Sequence, residues 1–166
     1  AGNGNTMHLT GLQSEAKTGT RLIHVPYKGG PAALNDVMGG QIPMMFHNLS
    51  AVLGQEKGGR VRVLAVADTQ RSKLLPNVPT MAEAGAPGVV QLAWSGMLVR
   101  SGTPAPVVER LHREMVAILK EPAFRKPLEE QGFDVLSSTP QAFAERLKAD
   151  HASMGEVIKA GNVKID

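Results

Sequence analysis

The sequence predicts an α/β fold, a mostly parallel sheet flanked by helices, and three observations carry that reading. Strand-like and helix-like segments alternate over the first two-thirds of the chain. One segment, VRVLAVA at 61–67, is nearly continuous apolar sequence, as in a strand buried on both faces of a parallel sheet. The strand candidates are separated by stretches long enough for helical crossovers and too long for hairpins.

The elements follow in order. Asn5 or Thr6 can cap a helix running to about Lys17, with Leu9, Leu12 and Ala16 on one face and Gly19 beyond its end. Residues 22–27 read as a strand rich in branched side chains. Pro31 suits the first turn of a second helix, striped by Leu34, Val37 and Met38 and stopped by Gly39-Gly40. Residues 42–46 form the next strand, with Pro43 at its start or on an edge. A short helix from Ser50 to about Lys57 precedes the strand at 61–67. In the irregular belt that follows, Thr80-Met81-Ala82-Glu83 has capping-box spacing and Gly85 closes a short helix. WSGMLVR reads as a further strand. Thr103-Pro104 opens a helix with Val107, Val108, Leu111, Met115, Ile118 and Leu119 at helical spacing. A short helix starts at Pro122, a short strand is expected at 134–136, and Thr139-Pro140 opens a long final helix. The strands at 22–27, 42–46 and 61–67 are expected in one sheet, the first two parallel and joined by a right-handed crossover.

Composition narrows the function. With 166 residues, the chain can bury a core of one domain or a little more. Aromatics are 4%, which argues against a nucleic-acid surface built on stacking. The net charge of +3 is dispersed and favours an acidic small ligand only weakly. Cysteine is absent, which removes disulfides, thiolate zinc sites and a cysteine nucleophile. No apolar run reaches spanning length. The opening AGNGNTMHL resembles the inside of a loop that normally follows a strand, so the chain is expected to be a piece of something longer.

Three strand-to-helix corners, at 2–6, 26–31 and 47–50, fall on the carboxyl edge of the expected sheet, where open parallel sheets bind ligands. Each presents a helix N-terminus with free N–H groups and the positive end of a dipole, a natural seat for a carboxylate. Glycine admits a ligand close to the backbone, and Lys28 and the Tyr27 hydroxyl add side-chain donors. The plainer reading is that these glycines only turn the chain and that Lys28 is solvated.

Other chemistry finds less support. Gly2-x-Gly4 puts Met7 where a dinucleotide fingerprint needs glycine. The histidines show no metal-binding spacing. Ser95 is not in a nucleophile elbow, and no carboxylate pair lies at the loop edge.

HVPYKGGPAALNDVMGGQIPMMF, RVLAVADTQRSKLLPNVPTMAEAG and MLVRSGTPAPVVERLHREM together resemble the Bug family, extracytoplasmic solute receptors of the tripartite tricarboxylate transporter type. The resemblance runs through to the final VIKAG. It implies a periplasmic binding protein with two α/β domains and a cleft, which takes small carboxylates, has no catalysis and no cofactor, and passes its ligand to integral membrane transporter subunits. Carried across, the ligand-binding residues of the second domain are Gly4, Asn5, Thr6 and His8, then Tyr27, Lys28 and Gly29, then His47 and Asn48. Family members often carry aspartate where this chain has His47. A protonated histidine there is expected to attract a carboxylate lacking an amino group, with tighter binding as pH falls.

Residues 1–92 thus correspond to most of domain two and 93–166 to a C-terminal contribution to domain one, the N-terminal part of the receptor being absent. A homodimer or swapped dimer is the expected consequence of apolar surface left without its usual cover. The alternatives are a small α/β enzyme acting on an acyl or phosphoryl substrate, for which no clustered nucleophile and base is found, and a truncated fragment that binds nothing.

Overall fold

The computed structural model describes residues 2–163. Six helices are formed among the described residues: α1 (Thr6–Thr18), α2 (Gly30–Met38), α3 (Leu49–Lys57), α4 (Ala105–Lys120), α5 (Pro122–Glu130) and α6 (Pro140–Ala160). The chain divides into two compact units, one of Ala1–Ala93 with Ala152–Asp166 and the other of Trp94–His151.

Helix ends follow the local chemistry. Asn5 caps α1, its Oδ1 accepting from His8 N at 2.9 Å, and Gly19 ends the helix in the left-handed region at φ 68°. Proline stands in the first turn of α2, α4 and α5. Thr139 Oγ1 accepts from Ala142 N at the start of α6.

The buried face of α1 differs from the expected one. Leu9, Thr10 and Ser14 are buried, while Ala16 is exposed and Leu12 half-buried. Burying these two hydroxyls is tolerable because each returns its proton to the preceding turn, Thr10 to Thr6 O at 2.7 Å and Ser14 to Thr10 O at 3.0 Å. The rest of this unit's core is Ala33 and Leu34 of α2, Val52 and Leu53 of α3, and Ala86 and Val89.

The segments at 22–27, 42–46 and 61–67 carry no helix, yet no backbone hydrogen bonds join them among the described residues. The one bridge among the described residues is parallel, between Val66 and Thr80, through Val66 N to Pro79 O and Met81 N to Val66 O. The expected ladder between 22–27 and 42–46 is therefore not formed. Ile23 is 93% exposed and Leu64 60%, so one face of these segments has no covering layer to hold strands at pairing distance. The layering is present nonetheless. Gly11 of α1 brings the helix over Phe46 and Leu22, 3.8–3.9 Å from where its Cβ would stand. The segment starts are tied back by carboxylates: Leu22 N donates to Glu15 and Val63 N to Glu56, each at 2.8 Å.

The Thr80–Glu83 capping box forms, with Thr80 N donating to Glu83 Oε2 and Glu83 N to Thr80 Oγ1. It closes a turn over 81–85 rather than a helix. In the second unit α4 and α5 bury no residue fully, and the strands expected at WSGMLVR and at 134–136 are not formed, residues 94–100 being exposed with no partner segment to pair with among the described residues. Trp94 and Phe143 pack edge to face, and the Phe143 ring covers the backbone of Gly96.

Candidate functional site

The three corners meet within the first unit. Gly2 lies against Tyr27, a Cβ built on it standing 3.8 Å from the Tyr27 carbonyl oxygen. Gly30 lies against His47, its Cβ position only 2.6 Å from Nε2. The first corner therefore touches the second, and the second touches the third.

What they hold in common is unpartnered backbone. At α1 the N–H groups of Thr6 and Met7 have no acceptor among the described residues. At α2 the same holds for Gly30, Ala32 and Ala33, and no side chain caps that helix. At α3 it holds for Leu49 and Ser50, again without a side-chain cap. Gly29 reaches φ 157° and ψ 165°, a conformation that suits glycine alone. Gly4, at φ 72°, likewise needs glycine.

Side chains complete the corners unevenly. Lys28 is exposed and has no carboxylate within ion-pairing distance among the described residues. Tyr27 donates its hydroxyl proton to Asp36 Oδ2 at 2.7 Å, and that bond raises its pKa. Its proton is thus committed, and it offers a ligand a lone pair instead. Asn5 is used as the cap of α1, and Asn48 is exposed at the start of α3. His8 Nδ1 accepts from Gly4 N at 3.1 Å.

His47 is turned inward. Its Nδ1 accepts from Asn48 N at 2.8 Å, and Nε2 is buried against Gly30 without a well-formed hydrogen bond. Burial lowers its pKa, with the Gly30 backbone pulling weakly the other way. The free protein therefore holds a neutral His47 at neutral pH, and the protonation expected to draw a carboxylate on acidification is displaced to lower pH by this burial.

Three further residues help shape the corners and were not singled out from sequence. Asp36 orients Tyr27. Gly30 is the second member of the Gly29-Gly30 pair, whose spacing gave the only hint of it. His24 stacks on His8 with centroids 3.8 Å apart and planes at 13°. Among the described residues no cluster of three His, Asp, Glu or Cys side chains could hold a metal ion, and no helix is long and apolar enough to cross a membrane.

This arrangement joins a set of known proteins. The pattern of the tripartite tricarboxylate transporter family receptor matches residues 1–163. A Pseudomonas sp. (strain P51) protein named "UPF0065 protein in tcbD-tcbE intergenic region" is 34% identical over 151 residues, covering 90% of this chain and 45% of that one. Among solved structures, R. palustris Rpa4515 with adipate superposes with a TM-score of 0.86 at 30% identity, over 96% of this chain and 53% of that one. The periplasmic binding protein BugD gives a TM-score of 0.82 at 31% identity, over 95% of this chain and 54% of that one. The chain spans about half the length of these relatives. Its fold is the α/β fold of periplasmic binding proteins, and its relatives are solute-binding receptors rather than enzymes. The chain belongs to the Bug family of tripartite tricarboxylate transporter receptors.

Proposed function

We propose that this chain carries part of the ligand site of a periplasmic solute-binding protein, which captures a small carboxylate and delivers it to the membrane subunits of a tripartite tricarboxylate-type transporter. Residues 1–92 supply most of the ligand-binding domain two, and 93–166 contribute to domain one. The observation that carries this reading is that three neighbouring corners each open a helix whose first-turn N–H groups lack protein acceptors among the described residues. A carboxylate is the group that such termini stabilise, through both hydrogen bonds and dipole.

Gly4, Asn5 and Thr6 give the α1 terminus its shape and access. Tyr27, Lys28 and Gly29 form the second wall, with Lys28 as its exposed cation. His8, His47 and Asn48 fix the loops that present the donors. The relative that holds adipate supports a dicarboxylate as the first ligand to try. Nothing in the proposed role calls for a cofactor, a metal or a turnover step.

The test is thermal unfolding of the chain in the presence of mono-, di- and tricarboxylates, followed by calorimetry on those that stabilise. A binder unfolds at higher temperature with ligand, by an amount that grows with the logarithm of concentration, and leaves the ligand chemically unchanged. No shift with any acid at millimolar concentration would defeat the proposal, and consumption of the acid would point to the enzyme reading.

A further inference from the structure

The His8–His24 pair lies in the first corner but is not explained by anion binding alone. His24 sits in the extended segment before Tyr27, and His8 in the first turn of α1. Their rings stack at 3.8 Å. On its other side His24 reaches Asn3, with Nε2 3.1 Å from Oδ1. His8 in turn accepts the Gly4 N–H through Nδ1 at 3.1 Å. The loop from Asn3 to Asn5 is thereby held at three successive residues, since Asn5 Oδ1 accepts from His8 N.

We infer that His24 is a positioning residue of this site: stacked on His8 and bonded to Asn3, it clasps the 3–5 loop in the shape that presents the α1 N-terminus to an anion, and acid opens the clasp. The inference rests on the proposed carboxylate site. Its chemistry lies in the protonation states the geometry demands. Nδ1 of His8 must be bare to accept from Gly4 N, and a proton there would set two donors against each other. Two imidazolium rings stacked at 3.8 Å would also repel. The charged groups facing the pair act in opposite directions. Glu15, on α1, favours a charged His8, whereas burial disfavours it, and His24 is held down by burial and by His8. The clasp is therefore closed at neutral pH and fails on acidification once His8 takes up a proton, since a proton on His24 alone leaves its bond to Asn3 in place.

His24→Ala removes both the stack and the Asn3 bond, and it should weaken the binding of adipate, used as the probe, by roughly tenfold at pH 7.5. His24→Phe keeps a ring under His8 and should recover most of that loss. The same variant removes a like charge, so His8 takes its proton at higher pH and affinity falls earlier on acidification than in the wild type. Gly4 N–H exchange gives a readout that needs no ligand: it should be faster in His24→Ala and near wild type in His24→Phe at pH 7.5. If the wild type binds neither adipate nor another carboxylate, the site itself is misread and the role of His24 falls with it. If the wild type binds and His24→Ala binds equally well, or if His24→Phe leaves the pH profile of binding unmoved, the carboxylate site stands and the clasp is overturned.

Discussion

At the scale of single residues, the corners make predictions that separate binding from folding. Lys28 is exposed and has no ion-pair partner among the described residues, so Lys28→Ala should leave thermal stability unchanged and weaken carboxylate binding by about 1–3 kcal/mol, read by calorimetry. Equal affinity would make Lys28 an ordinary surface lysine. Gly29→Val meets both the φ of 157° and the close approach a ligand needs, so it should cost more affinity than Lys28→Ala and some stability as well. Gly30 differs, because its neighbour is His47 rather than a ligand. A Cβ there would stand 2.6 Å from Nε2 and 2.8 Å from Cε1, so Gly30→Ala should destabilise the chain by about 1–3 kcal/mol. The same change made in a His47→Ala background should cost little, and an equal penalty in both backgrounds would show that the contact is not the cause. His47 carries a sign that can be checked. Its folded pKa lies below its unfolded value, so the stability it contributes is present above about pH 6.5 and is lost as pH falls through the folded pKa. A ring titration by NMR with a midpoint above 6.5 in the free protein would contradict the buried, neutral ring. Sequence pointed to this corner because a glycine pair, a lysine and a helix start are local signals. It could not reveal which way His47 turns, because that depends on the absence of a side chain on Gly30, seventeen residues away.

At the scale of elements, the helices were legible and the sheet was not. Caps, prolines and glycines mark α1 to α6 within a residue or two, since those signals act through the nearest turn. Strand pairing depends on distant partners and covered faces, and 22–27 and 42–46 lack the cover on one side. The capping box at Thr80–Glu83 shows an intermediate case. Its two reciprocal bonds form as the spacing predicts, yet the segment stays a turn, anchored by the parallel bridge from Val66 and by Arg71. Arg71 Nε donates to Glu83 Oε2 at 2.8 Å, and this bond, with that from Thr80 N, lowers the Glu83 pKa to about 2. A depressed carboxylate contributes stability above its unfolded pKa that is lost as pH falls through the folded one. The turn should therefore weaken between about pH 4.5 and 2. Glu83→Gln should be less stable than the wild type at pH 7 and should lose less on going to pH 3, as measured by urea unfolding at the two pH values. Parallel losses in both proteins would remove Glu83 from the acid response.

At the scale of the whole molecule, the two units differ in how they hold themselves together. The first has a shared core drawn from α1, α2, α3 and the 80–89 turn, small but continuous in chemistry. In the second, only Val135 is buried among the apolar side chains, and α4 shows none. Met97, Leu98 and Val99 are 53%, 68% and 44% exposed, and Val107, Leu111 and Ile118 of α4 are 46%, 37% and 38%. Helical spacing in α4 announced an apolar stripe, and the stripe exists; what sequence periodicity cannot state is whether anything lies on it. Open apolar surface of this kind tends to be covered by another chain. The ion pairs of α5 give no substitute, because Arg125–Glu129 and Lys126–Glu130 are solvent-exposed bonds of the kind that contribute little. The chain should therefore self-associate at micromolar concentration and bind a hydrophobic dye. Light scattering should return a mass well above 17.6 kDa that falls on dilution. Leu98→Lys combined with Leu111→Lys should lower both dye binding and association while leaving the helix content unchanged, since neither side chain is buried within its own unit. Trp94, the only tryptophan, donates to Asp150 at 2.6 Å and stacks edge-on against Phe143, so its fluorescence reports whether the second unit keeps its packing in that variant. A wild-type chain that stays monomeric at every concentration and binds no dye would mean that these side chains find cover within the chain itself.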